Sequence, residues 1–148
     1  MNGKCFVDTN VLVYFRDASE QEKQPQAARW LRYLWEKESG RVSFQVLNEY
    51  YVVVTQRLQP GLSHGEARAD MRNLLAWRPV TVGRKIIEQG WQVQDRFGFS
   101  WWDSLIVAAA IHAECHYLIS EDMQHEQVIE GTTIINPFQV SPNQIFAS

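Results

Sequence analysis

The chain has no apolar run long enough to cross a membrane: the longest, Leu105 to Ile111, falls far short of the ~20 residues that a span requires. It also lacks a basic-then-apolar leader, because the short run after Lys4 breaks at Asp8. Only two cysteines occur, Cys5 and Cys115, and their separation fits neither a disulfide framework nor a metal knuckle. The expectation is two buried thiols in a reducing compartment, hence a cytoplasmic protein with no membrane association. Repeats, low-complexity segments and Pro/Gly/Ser-rich linkers are all absent, so the 148 residues read as a single domain, 1–148. With 45% hydrophobic and 21% charged residues, the composition is that of a folded globular chain and argues against disorder.

Basic residues are missing beyond Arg96. The formal net charge of −3 therefore hides a division. Residues 1–96 carry all 14 Lys and Arg against 11 acids, and residues 97–148 carry six acids with no Lys or Arg. An acidic end joined to a mildly basic one suits an enzyme that grips phosphates in one place and cuts in another, although a solvated surface can cluster charge by chance.

What is present alternates between two periods. Residues 4–7 read as a first strand, followed by a short helix through Val11 to Phe15 with Asp8-Thr9-Asn10 as cap chemistry. A helix is expected from Pro25 to about Glu38, stopped at Gly40, with Ala27, Trp30, Leu31, Leu34 and Trp35 as its apolar stripe. Arg41 to Phe44 reads as extended, and Gln45 to Leu58 as helix ended by Pro60-Gly61. Ser63-His64-Gly65-Glu66 is a capping-box signature for a helix through Leu75. A brief strand at 79–82, a helix from Arg84 to Phe97, and a Ser100-capped helix from Trp101 to Ala113 come next. Tyr117 to Ser120 is the last clear core strand, and Thr133 to Ile135 a weaker one near an edge. Strands alternating with helices predict an α/β fold, a three-layer α/β/α sandwich around a mostly parallel sheet.

Four acids stand out on that frame. Asp8 and Asp122 follow strand-like runs, whereas Glu49 and Asp103 sit on helical patterns. Side chains just beyond the C-termini of parallel strands converge on one crevice. Carboxylates gathered there repel one another unless a cation lies between them, and a hard divalent metal is the usual answer, which points to metal-assisted phosphodiester hydrolysis. Each acid also has a plainer reading. Asp8 can be a helix cap, Asp103 can complete a capping box with Ser100, and Asp122 can cap the turn that follows it. Glu49 has the weakest such alternative, because it lies mid-helix among Val46, Tyr50, Val52 and Val53. Asp103 shares its helix face with Ile106, Val107 and Ala110, so it should lie at the rim of the core.

Histidines offer a competing metal site, since His112 and His116 are spaced i, i+4 around Cys115. At ~100° per residue, however, His112 falls on the opposite side of its helix from Asp103, and no second ligand cluster accompanies it.

Four blocks carry a family likeness: Phe6-Val7-Asp8-Thr9-Asn10-Val11-Leu12; Asn48-Glu49; residues 102–110 around Asp103-Ser104; and Tyr117-Leu118-Ile119-Ser120-Glu121-Asp122. In that order, across nearly the whole chain, they resemble a PIN-domain ribonuclease, and within that family the toxin of VapBC-type toxin–antitoxin pairs. The resemblance implies hydrolysis of single-stranded regions of RNA with one or two Mg²⁺ or Mn²⁺ ions. Carried over by position, Asp8 and Asp103 are direct metal ligands and catalytic, with Glu49 and Asp122 completing the pocket directly or through water. Thr9, Asn10 and Ser120 become candidates for orienting those carboxylates. The expected partners are RNA, a cognate antitoxin protein and a second copy of the chain as a homodimer. Arg68 and Arg72, i, i+4 neighbours, are candidate RNA contacts, although a solvated helix face is the better account of them. Two rivals stand beside this reading. A haloacid dehalogenase-type phosphatase would want an aspartate where Asn10 stands, and a PIN-like binding module without catalysis would be expected to lack one of the acids.

Overall fold

The computed structural model describes residues 3–146. Strand β1 (Cys5–Val7) leads into helices α1 (Thr9–Arg16) and α2 (Lys23–Lys37), then strand β2 (Gly40–Arg41). Helices α3 (Phe44–Gln56) and α4 (His64–Leu74) follow, with a 3₁₀ turn at Leu75–Trp77, then α5 (Arg84–Phe97), α6 (Trp101–His112) and strand β3 (Tyr117–Ile119). Strands β4 (Val128–Ile129) and β5 (Thr132–Ile135) and a last turn of helix, α7 (Pro142–Ile145), complete the order.

The sheet runs β2-β1-β3-β5-β4, parallel throughout except for the antiparallel β4–β5 pair. From β1 the chain crosses first to β2 on one side and later to β3 on the other. Right-handed crossovers in opposite directions put their helices on opposite faces, which yields the three-layer α/β/α sandwich expected from the sequence. The same reversal makes the C-terminal end of β1 a topological switch point, where the crevice of an open α/β sheet lies. Every residue of β1 is buried, as are Leu118, Ile119, Ile134 and Ile135, so the central strands read as continuous apolar runs.

Several boundaries differ from the sequence reading for local reasons. Ser43 is extended and its hydroxyl accepts the Val46 N–H at 3.2 Å, so it caps α3 and draws Phe44 out of the expected strand 41–44 into the helix. The 79–82 segment contributes a single bridge, Ser43 to Val80, instead of a strand. Helix α2 begins two residues before Pro25, and α1 begins at Thr9. The α2 stop is Glu38, which takes the left-handed conformation at φ 55° and donates its N–H back to Leu34 and Trp35. Strand β4, unread in the sequence, supplies the sheet edge and moves β5 one position inward. Of the expected α2 stripe, Ala27, Trp30, Leu31 and Leu34 are buried while Trp35 stays exposed.

Gly40 is a strand residue whose role is steric. A Cβ there would lie 2.5 Å from the buried Trp77 ring. Gly40→Ala is therefore expected to cost about 1–3 kcal/mol as an overpacking change, seen as a fall of several degrees in thermal midpoint. An unchanged midpoint would show that the indole yields.

Candidate active site

Strand register brings the first pieces together. Val7 pairs with Ile119, and the Asp8 N–H continues the ladder to the Ile119 carbonyl at 3.0 Å. Asp8 and Ser120 therefore leave neighbouring strand ends side by side, and the Ser120 hydroxyl donates to Asp8 Oδ2 at 2.9 Å. The other Asp8 oxygen accepts the Thr9 N–H at 2.7 Å. A helix cap ordinarily reaches the second or third N–H of the helix. Asp8 reaches only the first, and it spends its second oxygen across the sheet. Both strand-end residues are buried, Asp8 retaining 6% of its exposure.

The remaining acids arrive from three other elements. Glu49, on α3, accepts from Thr9 Oγ1 at 2.8 Å. Asp122 follows β3, accepts from Asn10 Nδ2 at 2.9 Å, and donates its own N–H to Ser120 Oγ at 3.2 Å. Asp103 lies in the first turn of α6, where its N–H is taken by the Ser100 cap at 3.1 Å. Thr9, Asn10 and Ser120 thus each donate a side-chain hydrogen bond to one of the acids.

The carboxylates sense one another. Burial, opposed by the Ser120 and Thr9 hydrogen bonds and reinforced by Asp103 and Asp122, pushes the Asp8 carboxyl up to about 7. Burial also raises Asp103, helped by the charges of Asp122 and Glu49. All four acids are linked by these effects. Among the described residues, no three of the His, Cys, Asp and Glu side chains form a ready-made metal cage. The donors around the crevice are all oxygens: carboxylates with hydroxyl and amide neighbours. Such a set fits a hard divalent cation that keeps part of its water, and it does not fit zinc.

A groove of about 760 Å³ runs past Thr9, Asn10, Glu49 and Asp122. A second cavity, about 590 Å³, lies among Leu12, Leu31, Trp35 and Trp77 and contains none of the four acids. Its polar element is a bidentate Arg16–Asp70 pair, with the Tyr50 hydroxyl also donating to Asp70. Arg68 and Arg72, on α4, line neither of these cavities, and Arg68 donates to the Tyr51 hydroxyl at 3.2 Å. His112 and His116 are exposed, and the described metal-ligating side chains include no cluster around them. The position at which a haloacid dehalogenase-type phosphatase would need a second aspartate holds Asn10, engaged with Asp122.

Other neighbours of the acids escaped the sequence reading. Glu121 is clamped by Lys23 and by the Tyr14 hydroxyl, the latter at 2.7 Å, while its N–H donates to Asn10 Oδ1 at 3.4 Å. The clamp steadies the turn that carries Asp122. Tyr14 follows Asn10 by four residues on α1, a spacing that put the two on one face, but Lys23 carried no signal. Trp102, adjacent to Asp103, is 61% exposed.

Comparison with known proteins agrees with this architecture. No curated protein matches the sequence. Several solved structures share the fold. A toxin–antitoxin complex from Klebsiella pneumoniae superposes with a TM-score of 0.63 at 16% identity, covering 90% of this chain and 98% of that one. The sarcin-ricin loop cleaving toxin VapC20 of Mycobacterium tuberculosis does so with a TM-score of 0.60 at 21% identity, over 78% and 87% of the two chains. The PIN domain family matches residues 5–130, a segment that includes Asp8, Glu49, Asp103 and Asp122. With four acids from four elements set at the end of its parallel strands, the chain belongs to the PIN-domain family.

Proposed function

We propose that the protein is a divalent-metal-dependent endoribonuclease and acts as the toxin of a toxin–antitoxin pair. The observation that carries the reading is the convergence of the four carboxylates, with burial and mutual repulsion holding Asp8 far above an ordinary aspartate. Asp8 and Asp103 would hold the metal directly, and Glu49 and Asp122 would complete the site directly or through water. Bound Mg²⁺ or Mn²⁺ would supply a water activated for in-line attack on phosphorus and positive charge against the leaving oxygen.

The chain's own groups have definable tasks. Ser120 and the Thr9 N–H fix the plane of the Asp8 carboxylate, Thr9 Oγ1 aims Glu49, and Asn10 aims Asp122. Glu49, less enclosed than Asp8, is suited to orient the attacking water. The solved relatives include a toxin–antitoxin complex and a sarcin-ricin loop cleaving toxin, which supports RNA as substrate and an antitoxin as partner. A homodimer completes the proposed assembly.

The test is cleavage of a single-stranded RNA by the purified protein. Cuts are expected with Mn²⁺ or Mg²⁺ and none with EDTA, and the protein encoded by the adjacent reading frame should suppress them in proportion to its amount. Absence of cutting with either metal would leave the binding-module alternative in place.

A further inference from the structure

The groove beside the acids is lined by four carboxylates, those of Asp17, Glu20, Glu49 and Asp122, and by one cation, Arg57. Other basic side chains nearby are already committed: Arg16 is paired with Asp70, and Lys23 with Glu121. Among the described residues the Arg57 guanidinium enters no ion pair. Its backbone is fixed, because Arg57 caps the C-terminus of α3 and donates its N–H to Val53 at 2.9 Å. The side chain is exposed.

Helix geometry relates Arg57 to the acids. Glu49, Val53 and Arg57 follow one another at i, i+4 steps on α3, and all three line the groove. At 1.5 Å per residue, Arg57 stands ~12 Å along the helix from Glu49. An acidic groove repels a polyanion except where a cation offsets it. A nucleic acid strand crossing the acids would meet metal charge at the scissile phosphate and the Arg57 fork further along, with the valine surface between them. Guanidinium matches a phosphate with two parallel hydrogen bonds, a geometry unavailable to an ammonium.

We propose that Arg57 holds a phosphate of single-stranded RNA away from the scissile one, and so sets the line along which the strand enters the acid crevice. The assignment rests on the ribonuclease reading and deepens it. A plainer role exists, since a cation at a helix C-terminus is favoured by the helix dipole, and the experiment separates the two.

Binding of a fluorescently labelled, unstructured RNA is measured at fixed Mg²⁺ across a KCl series, in an Asp103→Asn background that does not cut. Arg57→Gln is expected to weaken binding at low salt and to reduce the slope of log affinity against log salt by about 0.7, the value of one phosphate contact on a single strand. Arg57→Lys should keep the slope, because the charge remains, and still bind more weakly than the parent, because the fork is lost. In the catalytically competent protein Arg57→Gln should raise KM and leave kcat nearly unchanged. An unchanged slope in Arg57→Gln, with or without a lower melting temperature, overturns the assignment. Loss of slope only in the Arg68→Gln/Arg72→Gln double variant would overturn it too and move the contact to α4. If the parent binds no RNA, the ribonuclease reading falls and this one with it.

Discussion

Replacing Asp8 with Asn is expected to abolish RNA cleavage, a loss beyond the roughly 10–100-fold that follows removal of an outer-shell partner of a metal site. The substitution nearly preserves shape. An asparagine oxygen can still accept the Thr9 N–H, and its amide can donate to Ser120 Oγ in place of the present bond. What disappears is the negative charge, which burial disfavours in the metal-free protein and which a bound cation would require. Asp103→Asn is expected to behave alike, since Asp103 is half-buried and faces the charges of Asp122 and Glu49. Single-turnover cleavage, with circular dichroism to confirm the fold, measures the effect. A folded Asp8→Asn protein that cuts at the parental rate would remove Asp8 from the site.

How much of this site could be read from the chain depends on the range of the interactions involved. Asp8 and Asp122 were visible because each follows an apolar strand whose end must open into the crevice. Asp103 was visible from its phase, as the polar start of an apolar helix stripe, and Glu49 from the lack of any local partner. Each of these is a local pattern. The pairing of Asp8 with Ser120 required the register of β1 against β3, which no window of sequence contains. The Lys23–Glu121 clamp joins residues 98 positions apart and left no trace in either neighbourhood.

Short-range errors had a different origin. Two β-branched or aromatic residues within 41–44, Val42 and Phe44, favoured a strand, and one hydroxyl, that of Ser43, overrode them by capping α3. Strand β4 is two residues long and owes its existence to pairing with β5, so its own propensity could not announce it. Arg57 was readable in principle, two i, i+4 steps beyond Glu49. Arg68 and Arg72 resemble a patch because they are close in sequence, but they line neither of the two cavities.

The metal-free protein is expected to lose stability as pH rises through the range where Asp8 titrates. Its folded carboxyl is raised from 3.8 to about 7. Between those values the folded state keeps a proton that the unfolded state has lost, so raising pH favours unfolding. For this one group the decline is at most about 1.4 kcal/mol per pH unit. Asp103 shifts in the same direction and adds to it. In EDTA, wild type should therefore melt higher at pH 5 than at pH 8 by more than Asp8→Asn does, and at pH 8 the variant should melt no lower than wild type. Millimolar Mn²⁺ or Mg²⁺ should reverse that order at pH 8, because a ligand at 100 times its Kd contributes about 2.7 kcal/mol to the state that binds it. The variant should gain much less. At pH 5 the metal shift of wild type should shrink, as protons compete for the same oxygens. If Asp8 were only a helix cap, asparagine would serve about as well, and the pH slopes and metal shifts of the two proteins would coincide. Thermal unfolding of both proteins at the two pH values, with metal and with EDTA, separates these outcomes, and equal metal shifts at pH 8 would exclude Asp8 from the metal site.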